Sequence, residues 1–174
     1  MRSESSESLL VVALFSRHET ALEWARRCLE ETYGPAAMVG EPFRFHHTAY
    51  YAPTMGADLL KQLLAFERLV PLDALATIKR TTIAMEAELM ATGTFSEARP
   101  VNLDPGLLTL GKFMLATTKD QSHRIFLRDG IFAEVTLRFR DGTFEPWPWT
   151  YADYREPHVV AFLNQARDYF KTRT

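Results

Sequence analysis

The sequence predicts an α+β domain: a mixed or antiparallel sheet packed against several helices, with a β-meander in the C-terminal half. Three observations carry this reading. Leu9–Phe15 is an uninterrupted apolar run of strand length. The stretches 21–29, 75–89 and 159–170 repeat apolar residues at spacings of three and four, the period of a helix with one buried face. Asp129-Gly130 and Asp141-Gly142 each join short alternating runs. Such pairs suit two-residue hairpin turns, where both central residues take positive φ.

The elements follow in order. Met1–Ser8 is polar and reads as a flexible terminus, leaving 9–174 as a single domain. After the first strand, Ser16 and Glu19 have capping-box spacing, and Ala21, Ala25, Cys28 and Leu29 form a helical stripe that Gly34-Pro35 stops. Phe43–Tyr51 alternates as a strand, with Phe43, Phe45, His47, Ala49 and Tyr51 on one face and Arg44, His46, Thr48 and Tyr50 on the other. Pro53 and Gly56 end it. A short helix is expected around Ala57–Leu63, then a strand at Leu64–Val70. Pro71 suits the first turn of a longer helix whose stripe is Leu75, Ile78, Thr82, Met85 and Leu89. Lys79, Thr82 and Glu86 share a neighbouring face of it.

Asn102-Leu103-Asp104-Pro105-Gly106 has the composition of a turn, and Leu107–Ala116 reads as a short helix. In the meander, Ile131, Ala133, Val135, Leu137 and Phe139 are expected on one face, with Phe132, Glu134, Thr136, Arg138 and Arg140 on the other. Pro146-Trp147-Pro148-Trp149 is incompatible with a central strand and reads as a rigid connection across the core. Asp153 and Glu156 fit a capping pattern before the last helix.

Charge and composition narrow the function classes. Twenty basic against 22 acidic side chains leave a formal net charge of -2, which argues against nucleic acid and anionic lipid as partners. No apolar run is long enough for a membrane span or has the form of a secretory signal, so no membrane partner is expected and the reading is cytoplasmic. Cys28 is the only cysteine, which excludes an intrachain disulfide and a cysteine-rich zinc site. The first strand–helix joint, Ser16-Arg17-His18-Glu19-Thr20, has no glycine-rich turn to cradle a phosphate, so it signals no dinucleotide cofactor and no P-loop. His46 and His47 are adjacent and would point to opposite faces of a strand, so no metal ligands are assigned there.

The densest set of unlike polar groups runs from Asn102 to Glu134. Asn102, Asp104, Lys112, Thr117, Thr118, Lys119 and Arg124 are the ligand-binding candidates, with Lys79, Tyr50 and Tyr51 as additions. Lys119 and Arg124 would offset phosphate charge, while Thr117 and Thr118 would donate hydrogen bonds. His123 would shuttle a proton near neutral pH, with Asp120 or Glu134 orienting its other ring nitrogen. That set points to a binding or catalytic pocket for a phosphorylated small molecule or nucleotide. One alternative is a metal-dependent hydrolase using Asp104, His123 and Glu134, with Asp120 as a further ligand. Another is a non-enzymatic regulatory or protein-interaction module using Trp147, Trp149, Tyr151 and Tyr154. Ordinary structural work accounts for the same residues: Asp104 organising a turn, Arg124 pairing with Glu134, and the aromatics packing.

Several segments together carry a resemblance. They are Tyr50-Tyr51, Phe66-Glu67-Arg68-Leu69, Asn102-Leu103-Asp104-Pro105-Gly106, Thr117-Thr118-Lys119-Asp120, His123-Arg124, Asp129 to Leu137, and Pro148 to Tyr154. In these the chain resembles the bacterial family of the domain of unknown function DUF4416, some members of which are named GTP-binding proteins. The resemblance implies a shared fold and a shared site, without a substrate. His46, Ala49 and Thr54 stand where that family's pattern has acidic residues, which weakens a carboxylate-based metal role for this strand.

Overall fold

The computed structural model describes residues 7–46 and 49–174. Its centre is β1 (Glu7–Ser16), buried from Ser8 onward on both faces. A strand with apolar side chains on both sides needs cover on both sides, and helices supply it. β1 lies between β4 (Leu60–Phe66) and β6 (Asn102–Leu108). Beyond β4 comes β2 (Ala36–Val39). Beyond β6 come β7 (Lys112–Thr117), β9 (Ile131–Arg140) and β10 (Thr143–Pro146). Three short strands complete the sheet: β3 (Phe43–Arg44) on β4, β5 (Val70–Pro71) on β1 and β8 (Ile125–Arg128) on β9. All these pairings are antiparallel.

Helices α1 (Glu19–Tyr33) and α3 (Leu75–Ala91) pack Leu22, Leu29, Ile78 and Leu89 against Leu10, Val12, Leu14 and Leu107 of one sheet face. Helix α4 (Pro157–Lys171) covers the other face, setting Val159, Leu163 and Phe170 against Leu9, Val11, Phe113 and Leu137. One short turn of helix, α2 (Ala52–Met55), buries Met55 in the same core that α4 covers. No helix among the described residues is long and apolar enough to cross a membrane.

The α+β class, the first strand, the three long helices and both hairpins agree with the sequence reading. Asp129, Gly130, Asp141 and Gly142 have φ of 55°, 74°, 50° and 86°, the positive values those turns require. Several local expectations are corrected. Asn102–Gly106 is not a turn but part of β6, and Leu107–Ala116 is not a helix but the end of β6, a hairpin at Leu110-Gly111 and most of β7. Pairing with β1 overrides the turn composition, because β6 buries Leu103, Leu107 and Leu108 completely. Ala57–Leu63 is not a helix either: its second half is in β4, whose residues alternate between the two cores. Glu7 and Ser8 belong to β1, while Met1–Ser6 lie outside the described residues. The strand expected over Phe43–Tyr51 shrinks to Phe43–Arg44, and its His47 and Thr48 also lie outside the described residues.

Neither proposed helix cap forms. Ser16 is fully buried, donates its hydroxyl to the Pro100 carbonyl at 2.6 Å and receives the His18 N–H, so it tethers β1 rather than capping α1. Asp153 is likewise occupied by Lys61.

Two irregularities shape the sheet around the later site. Phe113 pairs with Leu137 but Met114 pairs with Val135, so Thr136 is an extra residue in β9. This bulge breaks the expected alternation: Ile131 and Ala133 join the core under α1 and α3, whereas Leu137 and Phe139 join the core under α4. Glu134, opposite Leu115, therefore shares the α4 side with Leu137. The second irregularity is the end of the β6–β7 ladder, which covers only Gly106–Leu108 against Phe113–Leu115. The Leu103 N–H and C=O point away from β1 into this opening, as their side-chain partners show. By the two-residue repeat of a strand, the nitrogen of Pro105 faces the same way, and it has no hydrogen to give β7.

Gly106 is where the two strands last touch. A Cβ there would lie 2.6 Å from the Met114 carbonyl oxygen and 2.6 Å from the Phe113 ring. Gly106→Ala is expected to lower the unfolding free energy by about 1–3 kcal/mol, the usual range for overpacking. Urea denaturation of the two proteins measures it, and an unchanged midpoint would contradict the tight strand crossing.

Candidate functional site

Where β6 and β7 separate, a cavity of about 600 Å³ passes between the layers. This lies within the ordinary volume range for small-molecule sites, roughly 300–1,000 Å³. Helix α3 enters from one side with Lys79, Ile83 and Glu86, and the α4 side contributes Phe15, Tyr51, Asp153 and Tyr154.

The exposed edge of β6 is completed by side chains instead of a strand. Lys79 donates to the Leu103 carbonyl at 2.9 Å and to Asp104 Oδ1 at 3.1 Å. Glu86 Oε1 accepts the Leu103 N–H at 2.6 Å. Their i, i+7 spacing, two helical turns, puts both on the same side of α3. Arg99 bridges the next layer, donating to Asn102 Oδ1 at 2.5 Å and standing 3.5 Å from Glu86 Oε2. Asn102 then donates to Asp104 Oδ2 at 2.9 Å. Burial pushes the Glu86 carboxyl above its ordinary 4.5, against the opposing pull of Lys79, the Leu103 N–H and Arg99.

The β7 side is built around Glu134, which is 2% exposed. Its Oε2 accepts from Arg124 Nε at 3.0 Å and lies 2.9 Å from His123 Nε2. Arg124 also donates to the Lys119 carbonyl at 3.0 Å and to the Tyr151 hydroxyl at 3.1 Å, so one guanidinium organises the loop after β7 and the rim. At the exposed mouth, Lys119 Nζ is 2.6 Å from the Tyr50 hydroxyl and 4.0 Å from its ring centre. That contact holds the Tyr50 phenol below its ordinary 10.

The floor contains a buried ion pair. Lys61 is fully buried, bonds to Asp153, and lies 3.8 Å from the Tyr154 ring centre and 4.8 Å from that of Phe15. Burial pushes the Lys61 ammonium down, and Asp153 opposes the shift. Burial raises the Tyr51 and Tyr154 phenols, and the nearby carboxylates Asp104 and Asp153 raise them further.

Set against the sequence-derived residues, Asn102, Asp104, Thr117, Thr118, Lys119, Arg124, Lys79, Tyr50, Tyr51 and Glu134 all line this cavity. His123 stands behind Glu134, stacked on Trp149 with ring centres 5.2 Å apart. Asp120 is exposed in the following turn, and Lys112 is exposed at the far end of β7; neither lines the cavity. Among the described residues no group of three or more His, Cys, Asp or Glu side chains is placed to hold a metal ion, so Asp104, His123 and Glu134 do not form a three-ligand set. Trp147 and Trp149 are half-buried and stack at 5.2 Å, and Trp149 Nε1 donates to the Val135 carbonyl at 2.9 Å, which pins the Pro-Trp-Pro-Trp connection.

Sequence reasoning did not include Glu86, Arg99, Asp153, Tyr151 and Tyr154 in the site. Glu86 had a legible signal, since it shares a helix face with Lys79. The others come from a loop and a connection whose placement has no local periodicity.

Two measurements test these interactions. Lys61→Met leaves Asp153 buried without its cation and is expected to cost about 3–5 kcal/mol, with much of the loss recovered in Lys61→Met/Asp153→Leu. Equal instability of the single and double variants in urea would refute the pairing. For Glu86, the folded group has a raised pKa, so its relative contribution to stability is full below 4.5 and declines as pH rises through the raised value. The stability of the native protein relative to Glu86→Gln is thus expected to fall between pH 4 and pH 7. A difference constant over that interval would contradict the burial effect.

The comparisons with known proteins place the chain in a family without assigning chemistry. No curated protein and no solved structure matches it significantly. Residues 6–170 match the family model described as domain of unknown function (DUF4416). With the match spanning nearly all of β1 through α4, the chain belongs to the DUF4416 family.

Proposed function

We propose that the cavity binds a phosphorylated small molecule, nucleotides included. The observation that carries this reading is the charge arrangement. Among the described residues, the lining holds four cations, Lys79, Arg99, Lys119 and Arg124, and four carboxylates, Glu86, Asp104, Glu134 and Asp153. Lys79 faces Asp104, Arg99 faces Glu86, Arg124 faces Glu134, and Asp153 is matched by Lys61 behind the wall. Lys119 is left at the mouth without a carboxylate partner among the described residues, beside the hydroxyls of Thr117, Thr118 and Tyr50.

An ammonium with adjacent hydroxyl donors suits phosphate oxygens, and its exposed position leaves it accessible without breaking a buried pair. Glu134 is committed to Arg124 and His123, so its contribution is to hold Arg124 in the wall. The tyrosines supply flat apolar surface for the remainder of a ligand.

A thermal-shift and calorimetric panel of nucleotides and phosphorylated metabolites tests the reading. Saturable stabilisation is expected, with Lys119→Ala weakening binding about tenfold or more while leaving the unfolding temperature of the free protein unchanged. The proposal fails if no phosphorylated compound shifts the transition at millimolar concentration, or if Lys119→Ala binds as tightly as the native protein.

A further inference from the structure

Inside the mouth, the wall of the cavity offers a ligand mostly carbon. Its charged groups meet one another, Lys79 with Asp104, Arg99 with Glu86, Arg124 with Glu134 and Asp153 with Lys61, and more of the cavity surface is apolar than polar. On the α3 side, Ile83 follows Lys79 by four residues and precedes Glu86 by three, so the three share one stripe of the helix. Lys79 and Glu86 bond to the carbonyl and N–H of Leu103, which fixes that stripe against the opening in the sheet. Ile83 lines the cavity between them and remains 38% exposed.

The α4 side is aromatic. Phe15, Phe45 and Tyr51 line the cavity as one cluster, with ring centres 5.1 Å apart for Phe15 and Phe45, 5.8 Å for Phe15 and Tyr51, and 6.0 Å for Phe45 and Tyr51. All three pack in the core under α4 whereas Ile83 comes from α3, so the cavity runs between an aliphatic wall and an aromatic one. Tyr50 connects these rings to the mouth: its ring centre is 5.2 Å from that of Tyr51 and 4.0 Å from Lys119 Nζ. The cation and the rings therefore lie within the span of one small molecule. A flat apolar group suits such a slot, where ring contacts add to the burial of apolar surface.

We infer that the ligand is an aryl phosphate, its phosphate on Lys119 and its aromatic ring in the slot between Ile83 and the cluster of Phe15, Phe45 and Tyr51. This rests on the phosphate-binding reading and adds the chemical class of the body that the phosphate carries. A sugar in the same slot would exchange its hydration for contact with carbon, beside charges already bound to one another. Binding is non-covalent.

Calorimetry on the full chain with phenyl phosphate, ribose 5-phosphate and inorganic phosphate tests the assignment. Phenyl phosphate is expected to bind about tenfold or more tightly than either other compound, the ratio that removing on the order of 55 Å² of apolar surface from water supplies. Its binding is also expected to carry a more negative heat-capacity change than that of inorganic phosphate, the mark of apolar burial. Ile83→Gln keeps a good helix former on α3 but places an amide in the wall, and is expected to cut the ratio of phenyl phosphate to inorganic phosphate affinity about fivefold. Because both ligands are measured on the same folded variant, a change in its stability does not imitate that result. Ribose 5-phosphate or inorganic phosphate binding as tightly as phenyl phosphate, or an unchanged ratio in Ile83→Gln, overturns the aryl inference while the phosphate reading stands. No saturable binding of any of the three removes both.

Discussion

The separation of β6 from β7 just past Gly106 is the constraint around which the rest of the site is arranged. A central strand whose edge lacks a neighbour leaves backbone donors and acceptors that must be satisfied. Here Lys79 and Glu86 do this from α3 by bonding to the carbonyl and N–H of Leu103. Both side chains thereby become fixed in the wall of the cavity. Pro105 helps to end the ladder because it has no N–H, and Gly106 permits the last close approach because a Cβ would meet Met114 and Phe113. The opening in the sheet and the polar groups that line it therefore have one origin.

Charge pairing gives this opening its rigidity. Arg124 is bound to Glu134, the Lys119 carbonyl and the Tyr151 hydroxyl, so it links β9, the loop after β7 and the connection before α4. The bulge at Thr136 turns Glu134 toward the same core as Leu137 and makes that link geometrically possible. Lys61 and Asp153 join β4 to the same connection beneath the Tyr154 ring. These pairs neutralise most of the wall and leave Lys119, at the mouth, without a carboxylate partner among the described residues.

Misreadings of the sequence fall where local composition and tertiary pairing disagree. Asp104-Pro105-Gly106 has the residues of a turn, yet Leu103, Leu107 and Leu108 bury completely when this segment runs beside β1. Burial in a central strand outweighs turn propensity. The stretch 107–116 spaces Leu107, Leu110, Met114 and Leu115 as a helix would, although Gly111 actually marks a hairpin between two strands. In β9 the alternation is real on each side of Thr136, but one inserted residue reverses it midway.

The sequence by itself determined the α+β class, the doubly buried first strand, the helical stripes and both Asp-Gly hairpins. Each depends on residues close together in the chain, on side-chain period or on the φ values that Asp and Gly accept. It also marked Asn102 to Glu134, with Lys79, Tyr50 and Tyr51, as a polar set, and most of these residues do line the cavity. The tertiary structure decided that Lys112, Asp120 and His123 stay out of that lining and that Arg99, Tyr151, Asp153 and Tyr154 enter it. The physical reason is that strand order, the end of one ladder and a single bulge set these distances. All three depend on pairing between segments far apart in the chain, which local periodicity does not encode.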